Sequence, residues 1–170
     1  MAILTTIALV LGYVEKLIPV TSAMPGVKLG LANTVLLYAI YMMHTRQAFT
    51  LMILKVLLSG IMFSGFSGAL FSFAGGVLSL IVMLLFKRIP GIGVIGVSVA
   101  GAVFHNIGQV LVAMMVAQTR GLLLYMPVLM IAGVLTGSVT GIIAKCVLKY
   151  MHYNHSSDSA GTRKYDTVVR

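Results

Sequence analysis

Long apolar runs, broken by short polar or glycine–proline clusters, organise this chain. A membrane-crossing helix needs about 20 predominantly apolar residues, with a range of roughly 17–25. The pattern predicts six spans, at about 2–19, 28–43, 47–63, 67–86, 92–117 and 122–149. Pro19 closes the first run, and Ala23-Met24-Pro25-Gly26 turns the chain into the second. Lys87-Arg88-Ile89-Pro90 separates the fourth run from the fifth. Proline and glycine punctuate in this way because they interrupt helical backbone. Between the third and fourth runs stands only the short break Phe63-Ser64-Gly65-Phe66-Ser67-Gly68, the weakest of the boundaries. Residues 1–150 therefore read as one transmembrane domain, and the polar stretch 151–170 as a disordered cytoplasmic tail.

This pattern implies an all-α integral membrane protein, a bundle of six transmembrane helices. Composition agrees. The 170 residues are 59% hydrophobic and 9% charged, where a soluble domain carries about 25% charged residues. No small-residue cleavage site sits behind a basic leader, so a removable signal peptide is not expected. An even number of spans puts both termini on one side. Arg46, Lys87, Arg88, Lys145, Lys149, Arg163, Lys164 and Arg170 fall on that side, against Lys28 and Arg120, with Lys16 nearby, on the other. The excess of Lys and Arg on cytoplasmic loops makes the first side cytoplasmic. The net charge of +9 thus reflects topology, and no nucleic-acid module fits between the hydrophobic runs.

His105, Asn106 and Gln109 stand out within the apolar run 91–117. An unsatisfied polar group in hydrocarbon costs about several kcal/mol. His105 and Gln109 are four apart, so a helix places them on one face with Asn106 beside them. Such groups in a span face the protein interior or a pathway. Glu15, Lys28, Asn33 and Tyr125 fall in the outer part of other spans, and Lys55 near the middle of the third. These eight residues are the candidate ligand-binding set. Their convergence predicts a cavity open to the outside. Glu15 is the sole carboxylate in the membrane region, facing Lys16, Lys28 and Lys55. A buried lysine without a counter-ion loses its proton or finds an anion, which favours a polar or anionic ligand. The bland alternative is that Lys16 and Lys28 snorkel to headgroups and Lys55 pairs with Glu15 for structure alone.

Other chemistry finds little support. The four histidines are scattered and match no metal-ligand spacing such as HExxH. Both aspartates, Asp158 and Asp166, lie in the tail, so no Ser-His-Asp set forms in the membrane region. There is no Walker A motif. No catalytic residue, cofactor or metal is expected. The lone Cys146 precludes an intrachain disulfide and reads as a small apolar filler, and the 12 methionines read as packing. Gly133, Gly137 and Gly141 repeat every four residues, as do Ala8 and Gly12, spacings that let helices approach closely. They serve internal packing or, on the first helix, docking of a membrane partner.

Three segments, Met24–Asn33, Phe71–Ser79 and Gly96–Gln109, together with Tyr125-Met126-Pro127 and the glycine-spaced last run, resemble the bacterial membrane proteins called heptaprenyl diphosphate synthase component I, also known as the Gx transporter family. The resemblance covers about residues 2–149. It implies a multi-pass protein of the bacterial plasma membrane. That family is similar in layout to the substrate-binding S components of energy-coupling factor transporters, with six helices, both termini inside and a ligand cavity near the outer face. On that likeness the chain captures a small polar or anionic molecule for uptake, and helix 1 docks a coupling subunit that works with separate ATPases. The family's name implies instead a membrane subunit that binds a prenyl diphosphate or lipid beside a soluble catalytic partner. Prenyl synthases of the soluble kind hold magnesium-diphosphate with aspartate-rich motifs, and none occurs here, so the chain is not expected to catalyse prenyl transfer by itself. A quinone-handling role is the reading the sequence supports least.

Overall fold

The computed structural model describes residues 2–17, 30–119 and 121–156, without the side chains of Lys16, Ser64 and residues 152–156. The described residues form six α-helices and no strand: α1 (Ala2–Leu17), α2 (Leu31–Met42), α3 (Thr45–Ser59), α4 (Gly65–Phe86), α5 (Val94–Ala117) and α6 (Met126–Ser156). A π-helical turn, Gly60–Ser64, links α3 to α4, and a 3-10 turn, Gly121–Tyr125, leads into α6. Four helical stretches are long and apolar enough to cross a membrane: Thr45–Phe63, Gly65–Phe86, Val94–Ala117 and Gly121–Met151. The first two runs yield shorter helices. α2 has 12 residues, about 18 Å at a rise of about 1.5 Å each, against a hydrocarbon core of about 30 Å. Residues 18–29, where both of those spans were expected to end or begin, lie outside the described residues.

The weak boundary between the third and fourth runs is a real turn with unusual backbone. Gly65 has φ of 66°, a left-handed conformation that costs glycine little. A Cβ on Gly60 would sit 2.5 Å from Ala69 Cβ, so the two helix ends meet too closely for any larger residue there. Across this turn Phe63 packs on Tyr13 of α1, with ring centroids 5.3 Å apart and planes tilted by 37°. At the opposite end, Lys87 Nζ donates to the Ile40 carbonyl at 2.7 Å and lies 4.9 Å from the Tyr41 ring centre. A cation there satisfies a terminal carbonyl of α2 and suits the negative end of its dipole.

Close backbone contact joins α4, α5 and α6. Built on Gly137 or Gly141, a Cβ would fall 2.7 Å from Val99 Cα or 2.9 Å from Ile95 Cα, both on α5. At Gly133 it would fall 3.2 Å from Val103 Cα. On the other flank of α5, a Cβ on Gly108 would lie 2.9 Å from Gly75 Cα in α4. The predicted glycine spacing is thus used for packing within the chain. α2 is the most enclosed helix, with seven of its 12 residues buried. Its Leu36, Leu37, Ala39 and Ile40 share one core with Ala8, Leu51, Met52, Met83, Val97, Ala144 and Leu148. Outward the molecule is apolar: Ile3, Ile7, Val10, Phe66, Ile81, Met115, Ile131 and Leu135 are all exposed. Such a surface suits lipid and not water.

Substituting Gly137→Val would force α5 and α6 apart. Overpacking of this kind costs about 1–3 kcal/mol. The variant should melt several degrees lower in detergent, whereas Gly121→Ala, whose added carbon meets nothing nearer than Thr119 Oγ1 at 3.5 Å, should melt like the parent.

Candidate functional site: a cavity inside the helices

The six helices enclose a cavity of about 400 Å³. Five of the eight predicted ligand-binding residues line it: Glu15 from α1, Asn33 from α2, Lys55 from α3, and His105 and Asn106 from α5. Gly12 and Ala8 line it as well, where a Cβ on Gly12 would touch Ala32 Cβ at 3.8 Å. Their small size leaves room inside the bundle.

Several polar groups in the wall are tied to another helix or to a turn. Gly30 N–H donates to Glu15 Oε1 at 2.8 Å, so the carboxylate holds the start of α2. Gly30 itself is left-handed, with φ of 73°, and its carbonyl accepts from Asn33 N–H at 2.8 Å. Lys55 Nζ donates to Asn33 Oδ1 at 2.8 Å, joining α3 to α2. Asn106 Nδ2 donates to the Leu129 carbonyl at 2.8 Å, joining α5 to α6. Ser98 and Thr140 share a hydrogen bond of 3.0 Å between the same two helices. Carboxylate, ammonium, imidazole, amides and hydroxyls together can bind polar groups of either sign. Among the described residues, no group of three His, Cys, Asp or Glu side chains is placed to hold a metal.

The other three predicted residues are elsewhere. Gln109 is not in the lining. Its Cγ lies 2.8 Å from where a Cβ on Gly75 would be, so it packs into the α4–α5 contact. Tyr125 sits in the 3-10 turn and packs against Val110 and Leu129. Lys28 lies outside the described residues. The sequence reading missed the hydroxyls of Ser59, Ser72, Ser79, Ser98, Thr136 and Thr140, and Phe63, all of which line the cavity. One signal was available. Ser72, Gly76, Ser79 and Met83 follow helical spacing on one face of α4.

A cavity that mixes polar and apolar groups, inside six helices of which four are long and apolar enough to cross a bilayer, marks a helical protein of membrane type with an interior chamber. The chain belongs to the heptaprenyl diphosphate synthase component I family, whose model matches residues 4–147. No curated protein and no solved structure shows a significant match to it.

The role of Glu15 in holding α2 can be checked by exchange. Glu15→Leu removes the acceptor for Gly30 N–H and leaves a partly buried donor without it, at a cost of about 1 kcal/mol. Glu15→Gln keeps an oxygen in place. Thermal melts in detergent should show a lower midpoint for the leucine variant and most of the parental stability for glutamine.

Proposed function

We propose that this protein is a membrane substrate-binding subunit, akin to the S component of an energy-coupling factor transporter, which captures a small polar or anionic molecule for uptake. The observation that carries this reading is the cavity, where Glu15, Asn33, Lys55 and His105 come together from four helices. A chamber of about 400 Å³ lies in the range typical of small-molecule sites, about 300–1,000 Å³. In this reading all six helices cross the bacterial plasma membrane. Arg46, Lys87, Arg88, Lys145 and Lys149 mark the cytoplasmic end, following the bias of Lys and Arg. The Glu15 end then faces outward. α1 carries an outward stripe of Ile3, Ile7, Val10, Val14 and Leu17, which suits contact with a membrane coupling subunit served by ATPases.

Membership of the component I family supports a second reading. The family's name points to a partner component of heptaprenyl diphosphate synthase. The chain would then hold a prenyl diphosphate or lipid for a soluble catalytic partner. It would not catalyse the transfer itself, since both of its aspartates lie beyond residue 157.

Purification in mild detergent followed by mass spectrometry of bound small molecules separates the two. A water-soluble polar or anionic compound is expected. Lys55→Ala and His105→Ala should each weaken its binding about tenfold, the equivalent of about 1.4 kcal/mol. Retention of a prenyl diphosphate together with a soluble prenyltransferase would instead establish the second reading.

A further inference from the structure

The cavity has two ends of different chemistry. At one end Glu15 and Lys55 are linked through a single turn: Glu15 to Gly30 N–H at 2.8 Å, and Lys55 to the Asn33 amide at 2.8 Å. Among the described lining residues these two are the carboxylate and the ammonium, so that end offers both signs of charge. A carboxylate has about four acceptor sites and an ammonium three donors, so each can serve more than one partner at once, a ligand among them.

The other end lies deeper along the bundle. Met52 of α3 is level with Gly76 of α4, since its sulfur would sit 3.1 Å from a Cβ there. The two helices are antiparallel, so Lys55 lies three residues to one side of this level and Ser79 three residues to the other. That places them about 9 Å apart along the axis, at about 1.5 Å per residue. Ser79 is 1% exposed, lines the cavity, and its hydroxyl has no hydrogen-bond partner. Met83 lies beside it, and both border the space over Gly101. A buried hydroxyl without a partner costs about 1–3 kcal/mol, a penalty that a ligand's own polar group would remove. Thioethers between the two ends favour contact with an aromatic or other polarisable group.

We propose that the cavity selects a zwitterion, whose ammonium and carboxylate lie at Glu15 and Lys55 and whose far end carries a hydrogen-bonding group that meets Ser79 Oγ. The proposal rests on the ligand-capture reading above and narrows it from polar or anionic molecules to net-neutral ones with two polar ends. An α-amino acid with a hydroxylated aromatic side chain is the simplest member of this class. L-tyrosine and L-phenylalanine differ by that one hydroxyl and form a matched pair of probes.

The test is calorimetric titration of the full chain in detergent with L-tyrosine, L-phenylalanine, succinate, inorganic phosphate and geranyl diphosphate. L-tyrosine should bind at least about fivefold more tightly than L-phenylalanine. Ser79→Ala should abolish that preference while keeping or raising the melting temperature, because it removes an unpartnered buried hydroxyl. Equal binding of the two amino acids, or a preference that survives Ser79→Ala, overturns the role of Ser79. Binding of succinate or phosphate without L-tyrosine overturns the zwitterion assignment and leaves ligand capture standing. Binding of geranyl diphosphate alone overturns both. Binding of none of the five overturns the zwitterion assignment.

Discussion

Everything in this molecule depends on α5 lying backbone to backbone against both of its neighbours. Inside a bilayer there is little hydrophobic drive for one helix to join another, so close packing and interhelical hydrogen bonds must supply it. Gly133, Gly137 and Gly141 bring α6 onto Val103, Val99 and Ile95, while Gly75 and Gly108 bring α4 onto the other flank. With two sides of α5 so engaged, its remaining face, with Ser98, Gly101, Ala102 and His105, borders the chamber. Close packing also explains why the chamber exists at all. Protein interiors are close-packed, and a void persists only where side chains are withheld. Gly12, Gly76 and Gly101 withhold them along its wall.

Polar groups then stitch the wall together. Each costs free energy in hydrocarbon unless paired. Asn106 answers a carbonyl of α6, Ser98 answers Thr140, and Lys55 answers Asn33. Every one of these bonds crosses between helices. The groups that give the chamber its chemistry therefore also fix its shape, and a ligand that entered would meet them already oriented. Preorganisation of this sort lowers the ordering cost of binding.

The hydrophobic pattern made the helical segments legible, because hydropathy is a strong signal over 20 residues. It was least informative for α2, whose 12 residues are flanked by a glycine in a left-handed conformation that no hydropathy pattern encodes. The chamber was legible where residues are conspicuously costly: Glu15, Asn33, Lys55, His105 and Asn106. Serine and threonine gave no such warning, since a hydroxyl can satisfy itself on a preceding carbonyl of its own helix, as Thr140 does on Thr136 at 2.9 Å. Gln109 shows the limit of facial spacing. It shares a face with His105, but α4 closes over that face at Gly75 before the chamber reaches it.

The placing of polar groups in the chamber bears on how the family's name is to be understood. A prenyl diphosphate has a multiply charged head and a purely hydrocarbon tail. Such a tail would suit an apolar floor, and Met52, Met83 and Leu37 offer part of one. Ser79, Ser98 and Thr140 stand among them, and Ser79 would remain unsatisfied beneath a hydrocarbon chain. At the head end a diphosphate would meet Lys55 but also Glu15, whose negative charge opposes it. A carboxylate that already anchors α2 through Gly30 is not free to be traded away without loosening the bundle. In the ligand-capture reading proposed above, the charge that shapes the fold thus also biases the ligand toward a molecule that brings a positive group of its own.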